Sequence, residues 1–236
     1  MNEKTNRASA DGPNPKSLRK AVIVRFAMVF PALGLMFFLP AGTLNYWEAW
    51  VYIFILSIPM VILVIYLYQH DPKLLERRMR MKERQKTQKW VIGLSWLVFL
   101  PAFIIPGFDR RFEWSHVPLT LVVVADLLVL LGYLMFALVL KTNSYASRVI
   151  EVEEGQKVVS TGPYALVRHP MYLAVLILYI FSPLALGSYW AIIPTLFLLP
   201  LLVARIRGEE KELLANLEGY KEYVMKTKYR LLPGIW

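Results

Sequence analysis

The sequence predicts an all-α integral membrane protein of about six transmembrane helices, and three observations carry that prediction. Of its 236 residues 57% are apolar and only 19% charged, with uncharged runs of a length that soluble domains rarely hold. Those runs form six segments, at residues 22–41, 47–68, 90–106, 117–140, 171–186 and 189–203. Charge gathers between them, and with the N-terminus inside, 24 of the 27 lysines and arginines fall in inside segments. Only Arg110 and Arg111 then lie outside, while Arg25 sits near the inside end of the first span, a strong positive-inside asymmetry. Both termini are therefore expected on the cytoplasmic side of a bacterial inner membrane or the endoplasmic reticulum.

A net charge of +10 in a soluble chain would suggest nucleic acid. Here the charges sit in loops beside membrane spans, so anionic lipid headgroups are the expected partner and nucleic acid is not. The chain has no cysteine, which excludes disulfides and thiolate chemistry by the protein.

Three regions follow in order. Residues 1–20 are polar, lack a signal-peptide core and read as a disordered cytoplasmic tail. Residues 21–140 form a four-helix membrane region. Its second loop, 69–89, opens with Asp71-Pro72, a cap followed by a first-turn proline. Leu74, Leu75, Met79 and Met81 then alternate with arginines, as in a basic helix lying on the inner leaflet. Residues 141–236 form the remaining unit. Within it, 148–152 and 157–160 flank a glycine-containing turn and predict a small cytoplasmic β-hairpin. Segments 171–186 and 189–203 are short and separated only by Gly187-Ser188, which predicts a helical hairpin. After it, Leu213, Leu214, Leu217, Tyr220 and Tyr223 recur at helical spacing and predict a C-terminal amphipathic helix, with Gly219 inside it.

The chemistry concentrates where the last loop meets the hairpin, in Gly162-Pro163-Tyr164-Ala165-Leu166-Val167-Arg168-His169-Pro170-Met171-Tyr172. Pro170 suits a first helical turn, so Arg168 and His169 stand at a helix N-terminus, a setting that favours an anion. Positions equidistant from the Gly187-Ser188 turn share a membrane depth. Arg168, His169 and Tyr172 should therefore face Arg205, Glu209 and Glu210 across a mixed-charge pocket. A structural ion pair between Arg168 and one of the glutamates is the simpler alternative. Asn143, Tyr145 and Arg148 follow the fourth span at the same side. Asp126, deep in that span, is a hydrogen-bonded or protonated structural carboxylate or a functional one.

The GPYxxxRHPMY pattern, followed by an apolar hairpin and Glu209-Glu210, resembles the isoprenylcysteine carboxyl methyltransferase and phospholipid methyltransferase-like superfamily. The resemblance runs from about residue 143 to the C-terminus, and departs at Ala174, where many members have glycine. It implies an integral membrane methyltransferase that uses S-adenosylmethionine, with Gly162, Tyr164, Arg168, His169, Pro170, Tyr172, Glu209 and Glu210 at the cofactor. Arg205, from the depth relation, and Asn143, from its position, join them. Arg168, Glu209 and Glu210 are the candidate catalytic residues, the two glutamates being the carboxylates available as a base where the acceptor needs one. Donor and acceptor held in line account for most of such a reaction. The acceptor is expected to be a lipophilic or lipid-anchored molecule bearing a carboxylate, thiol or amine.

Two other functions fit part of the pattern. A sterol-reductase-like membrane enzyme using NADPH has a similar terminal region, but its motif reads RHPNY, against Met171 and Ala174 here. A non-catalytic lipid-binding protein would not need Arg168, His169, Glu209 and Glu210 at one depth.

Overall fold

Four helices are long and apolar enough to cross a membrane in the computed structural model, which describes residues 15–79, 86–150 and 152–236. They are α1 (Pro15–Ala41), α2 (Trp47–His70), α4 (Lys86–Phe112) and α5 (Leu119–Thr142). Between them α3 (Pro72–Met79) is a short amphipathic helix. A 3₁₀ turn (Gly162–Ala165) leads to α6 (Pro170–Ala185), then α7 (Ile192–Leu196), α8 (Leu198–Asn216) and α9 (Tyr220–Lys226). Residues 1–14, and with them most of the expected tail, lie outside the described residues, as do 80–85 of the basic loop.

The expectation of six spans is corrected to four. Helix α6 has only 16 residues, about 24 Å at the α-helical rise, and the sixth apolar segment does not form one helix. Its break falls at Phe197 because Pro200 has no N–H to give the Leu196 carbonyl and its ring crowds that oxygen. The returning chain is thus a five-residue α7 and a separate α8, which carries on past the apolar run to Asn216. The amphipathic helix expected beyond it is split by Gly219, whose φ of 79° lies in the left-handed region that glycine tolerates.

The expected β-hairpin is not present: no strand occurs among the described residues. The turn itself forms, with the Gln156 N–H on the Glu153 carbonyl at 3.1 Å and the Glu153 N–H on Gln156 Oε1 at 3.0 Å. Its flanks do not pair with each other. Val152 and Val158 pack instead against Leu217, Tyr220 and Tyr223 at the α8–α9 junction. Tertiary packing of the same valines replaces the ladder that their pattern suggested.

Helix packing explains the small residues. Lipid tails are as apolar as leucine, so helices associate in a bilayer by close approach rather than by apolar burial. Ala49, Ala102, Ala125 and Ala185 are accordingly among the fully buried residues of the central cluster, with Phe37, Tyr52 and Phe103 filling the wider gaps. Helix α5 runs along α6, and α1 along α4. Asp71 Oδ1 accepts the Leu74 N–H at 2.9 Å, capping α3 as expected. Leu74 and Leu75 are buried against α2, α5 and Ala146 rather than facing lipid. Helix α3 is therefore a strut inside the fold.

Candidate active site

The hairpin formed by α6 and the α7–α8 return brings the two motifs to one end of the bundle. Tyr172 donates its hydroxyl to Glu209 Oε2 at 2.6 Å, and Arg168 Nε donates to Glu210 Oε1 at 2.7 Å. The adjacent glutamates play different parts. Glu210 is buried and held by Arg168 and by Arg230 Nε at 2.6 Å. Burial alone would raise its carboxyl. The hydrogen bonds from His169 and Arg230, with the charges of His169 and Arg168, outweigh that and bring it down to about 2. Glu209 instead lines an open polar pocket with Asn143, Tyr164, His169, Pro170, Tyr172 and Arg205.

Arg168 is occupied by the protein. Its Nη1 donates to the carbonyls of Thr227 at 2.8 Å and Lys228 at 3.1 Å, and the side chain is almost completely buried. The backbone joins in: the Arg168 N–H reaches the Tyr229 carbonyl and the His169 N–H the Arg230 carbonyl, both at 2.9 Å. Two N–H groups expected to face an anion beside the α6 N-terminus are thus taken by the C-terminal segment. Both the guanidinium and the backbone here fasten residues 227–230 beneath the pocket.

The other sequence-selected residues divide in the same way. Asn143 Nδ2 donates to the Tyr164 hydroxyl at 2.9 Å, and the Tyr164 carbonyl accepts the Tyr223 hydroxyl at 2.7 Å. Burial, the first cause, pushes the Tyr164 phenol well above its usual range, so it is neutral at physiological pH. Gly162 opens the 3₁₀ turn and does not line the pocket. Arg205 does, while its Nη1 donates to Gln88 Oε1 at 3.0 Å and its Nη2 to the Arg148 carbonyl at 2.7 Å. Asp126 lies within α5, is buried, and is not part of the pocket.

Two buried polar atoms in the pocket lack a hydrogen-bond partner. His169 Nε2 is 3.5 Å from Glu210 Oε1, too long for a hydrogen bond, and the Tyr220 hydroxyl has no partner. Buried polar atoms are nearly always satisfied, so such a pair aimed into one pocket marks a place for a ligand. Tyr220 entered the sequence reading only as one apolar position of a helix. Its polar role depends on the turn at Gly219, which periodicity does not show.

A second cavity of about 350 Å³ adjoins the first. It lies between α4, α6 and α8 and is mainly apolar, with Val98, Phe99, Val175, Tyr179, Leu198 and Leu202 in its walls. Ser147, Met171, Tyr172 and Arg205 line both cavities and form their common partition.

Residues 122–215 match the model of the isoprenylcysteine carboxyl methyltransferase (ICMT) family. No curated protein matches the chain. The matched segment contains α5, the GPYxxxRHPMY stretch, α6, α7 and nearly all of α8. It thereby includes both sides of the pocket, and the resemblance read from those residues holds. With four membrane-length apolar helices, the protein is an isoprenylcysteine carboxyl methyltransferase-like membrane methyltransferase.

Proposed function

We propose that the protein transfers the methyl group of S-adenosylmethionine, bound in the polar pocket, to a lipophilic acceptor held in the adjoining apolar cavity. The observation that carries this reading is the shared partition: one polar and one apolar cavity meet at Ser147, Met171, Tyr172 and Arg205. S-adenosylmethionine supplies a methyl group already activated by its sulfonium.

The pocket's residues fit that cofactor by chemistry. Glu209 can hold an ammonium or ribose hydroxyls, since Tyr172 takes one of its oxygens and leaves the other. His169 Nε2 and the Tyr220 hydroxyl gain the partners they lack, and Tyr145, Tyr164 and Tyr223 offer aromatic surface. Arg168 and Glu210 act as positioning residues beneath. The enclosed part of the pocket is about 100 Å³, less than the roughly 300 Å³ or more usual for small-molecule sites. Admission of the whole cofactor therefore needs the Val149–Val159 side of the pocket to move outward.

We place both termini and this pocket in the cytoplasm, on the distribution of lysine and arginine. A charged cofactor then enters from water, and the acceptor enters from the bilayer between α4 and α8. Tags at either terminus should be protected from external protease, and one near Arg110 should be cleaved.

The deciding experiment compares binding of S-adenosylmethionine, its demethylated product and NADPH to the detergent-purified protein, followed by transfer of labelled methyl to acceptors differing only in chain length. Binding of the first two, with kcat/KM rising along the series at fixed detergent, is expected. At about 0.8 kcal/mol per buried CH₂, partly offset by micelle partitioning, the rise should be several-fold over a few methylenes. Binding of NADPH alone would overturn the reading in favour of a reductase, and a flat series would remove the bilayer route.

A further inference from the structure

The apolar cavity has a strongly basic end that methyl transfer by itself does not require. Arg78 of α3, Arg148 after α5 and Arg205 of α8 all line it. Arg78 and its neighbour Arg77 differ sharply. Arg77 is paired: its Nε lies 2.7–2.8 Å from both carboxylate oxygens of Glu153, and its Nη1 donates to the Ser144 carbonyl at 2.8 Å.

Arg78 has no such acid. Its Nη1 reaches the Ser147 carbonyl and Met171 Sδ, each at a long 3.4 Å, and its guanidinium stands 5.2 Å over the Phe136 ring. None of these described partners carries a negative charge. Burial, with the charges of Arg148 and Arg205 adding to it, lowers Arg78 to about 10, so it stays protonated at neutral pH. Arg148 is lowered too, by burial first and then by Arg25 and Arg205. Like charges gathered at the head of an apolar cavity repel one another, and an arriving anion relieves that repulsion.

We propose that Arg78, with Arg148 and Arg205, forms an anion-reading site for the charged head of an amphiphile whose hydrocarbon lies between α4 and α8, and that Arg78 is its specificity-determining residue. Guanidinium groups pair with carboxylate or phosphate oxygens in a planar fork, and a protonated amine is repelled. This rests on the apolar cavity being the acceptor's, and selects an anionic acceptor among those the reaction allows. Arg78 lies outside the segment matched by the family model, so the selection is made by a part of this chain that the match does not cover. The apolar length below it, with Phe99, Val175, Leu198 and Leu202, favours an amphiphile over a free anion.

Trp96 also lines the cavity and provides the readout. Quenching of tryptophan fluorescence by ω-bromododecanoate, ω-bromododecanol and ω-bromododecylamine is measured at fixed neutral detergent, with Trp96→Phe as background. The acid should bind about tenfold or more tighter than the alcohol, the usual order for a charge-assisted contact, and the amine weakest. Arg78→Gln should erase the acid's advantage while leaving the alcohol's affinity unchanged, and Arg78→Lys should restore part of it. Equal binding of acid and alcohol by the unaltered protein would overturn the proposal, as would an equal loss of both in Arg78→Gln. Displacement of the acid by inorganic phosphate at similar concentration would also overturn it, by reducing the site to one for a free anion. S-adenosylmethionine binding is measured alongside. Its absence, with the preference for the acid intact, would sink the cofactor assignment and leave the anion site standing.

Discussion

Two polar clusters stand at opposite ends of α6, and they differ in how completely they are satisfied. Beyond Ala185, buried Asp109 accepts the Ser115 N–H and the Ser115 hydroxyl, each at 2.7 Å, and the Ser188 hydroxyl as well. Ser188 Oγ in turn accepts the Ala191 N–H at 3.2 Å. That cluster ties the end of α4 to the loop after α6. At the other end, Arg168 and Glu210 are equally well partnered, but above them His169 Nε2 and the Tyr220 hydroxyl are not. A saturated cluster fastens helices. One saturated on its lower side and open above supports a ligand site.

The sharpest way to break this contrast is Arg168→Ala. It leaves Glu210 buried without its main partner and releases the carbonyls of Thr227 and Lys228, so a loss of about 3–5 kcal/mol of stability is expected. Thermal unfolding in detergent measures it, and cofactor affinity should fall with the fold rather than separately. Arg168→Lys should recover only part. If Arg168→Ala lowers affinity but leaves the melting temperature unchanged, the residue is a direct cofactor ligand instead.

At the far end, Asp109→Ala should cost about 1–3 kcal/mol through the donors it strands. Cofactor affinity in the folded fraction should stay the same, and a matching loss of affinity would erase the distinction between the clusters. Glu209→Gln should do the reverse, weakening S-adenosylmethionine binding by about 1.5–3 kcal/mol with little change in melting. Acid provides a check on Glu210. Because folding depresses this carboxyl from near 4.5 to about 2, its contribution is fully present above pH 4.5 and is lost as pH falls toward 2. Glu210→Gln should flatten stability across that interval. The smallest effect expected is from Tyr220→Phe. Removing an unpartnered buried hydroxyl should leave the ligand-free protein as stable or slightly more so, yet weaken cofactor binding by about tenfold or less.

Much of this was legible in the sequence because its signals are local. The four long apolar runs, the Asp71-Pro72 cap and the convergence of Arg168 and Tyr172 with Glu209 and Glu210 follow from length, turn chemistry and spacing. The failures have tertiary causes. Pro200 breaks the sixth segment through an effect four residues upstream, and the valines of the expected hairpin found a better surface on α8 and α9. The fold-back of residues 227–230 onto Arg168 left no periodic trace, so the guanidinium's intramolecular partners could not be read. Arg78 was visible only as one of several arginines in a basic loop. Which of them turned inward depended on where Leu74 and Leu75 were buried.

The contact between α5 and α6 has a bearing on precision. At Gly132 a β-carbon would lie 3.1 Å from Ile177 Cγ2 and 3.2 Å from both the Ala174 carbonyl and Leu178 Cγ, so the two backbones touch without intervening side chains. Asn143 stands about 16 Å along α5 from this point, and His169 about 7 Å back along α6, at the helical rise. Helices so closely seated cannot slide past each other by a fraction of a turn. The bilayer-embedded crossing therefore works as a gauge block for a site built in water. Its tolerance is set by two residues that never meet a ligand, and a single methyl group added at 132 would be felt as misalignment at the pocket.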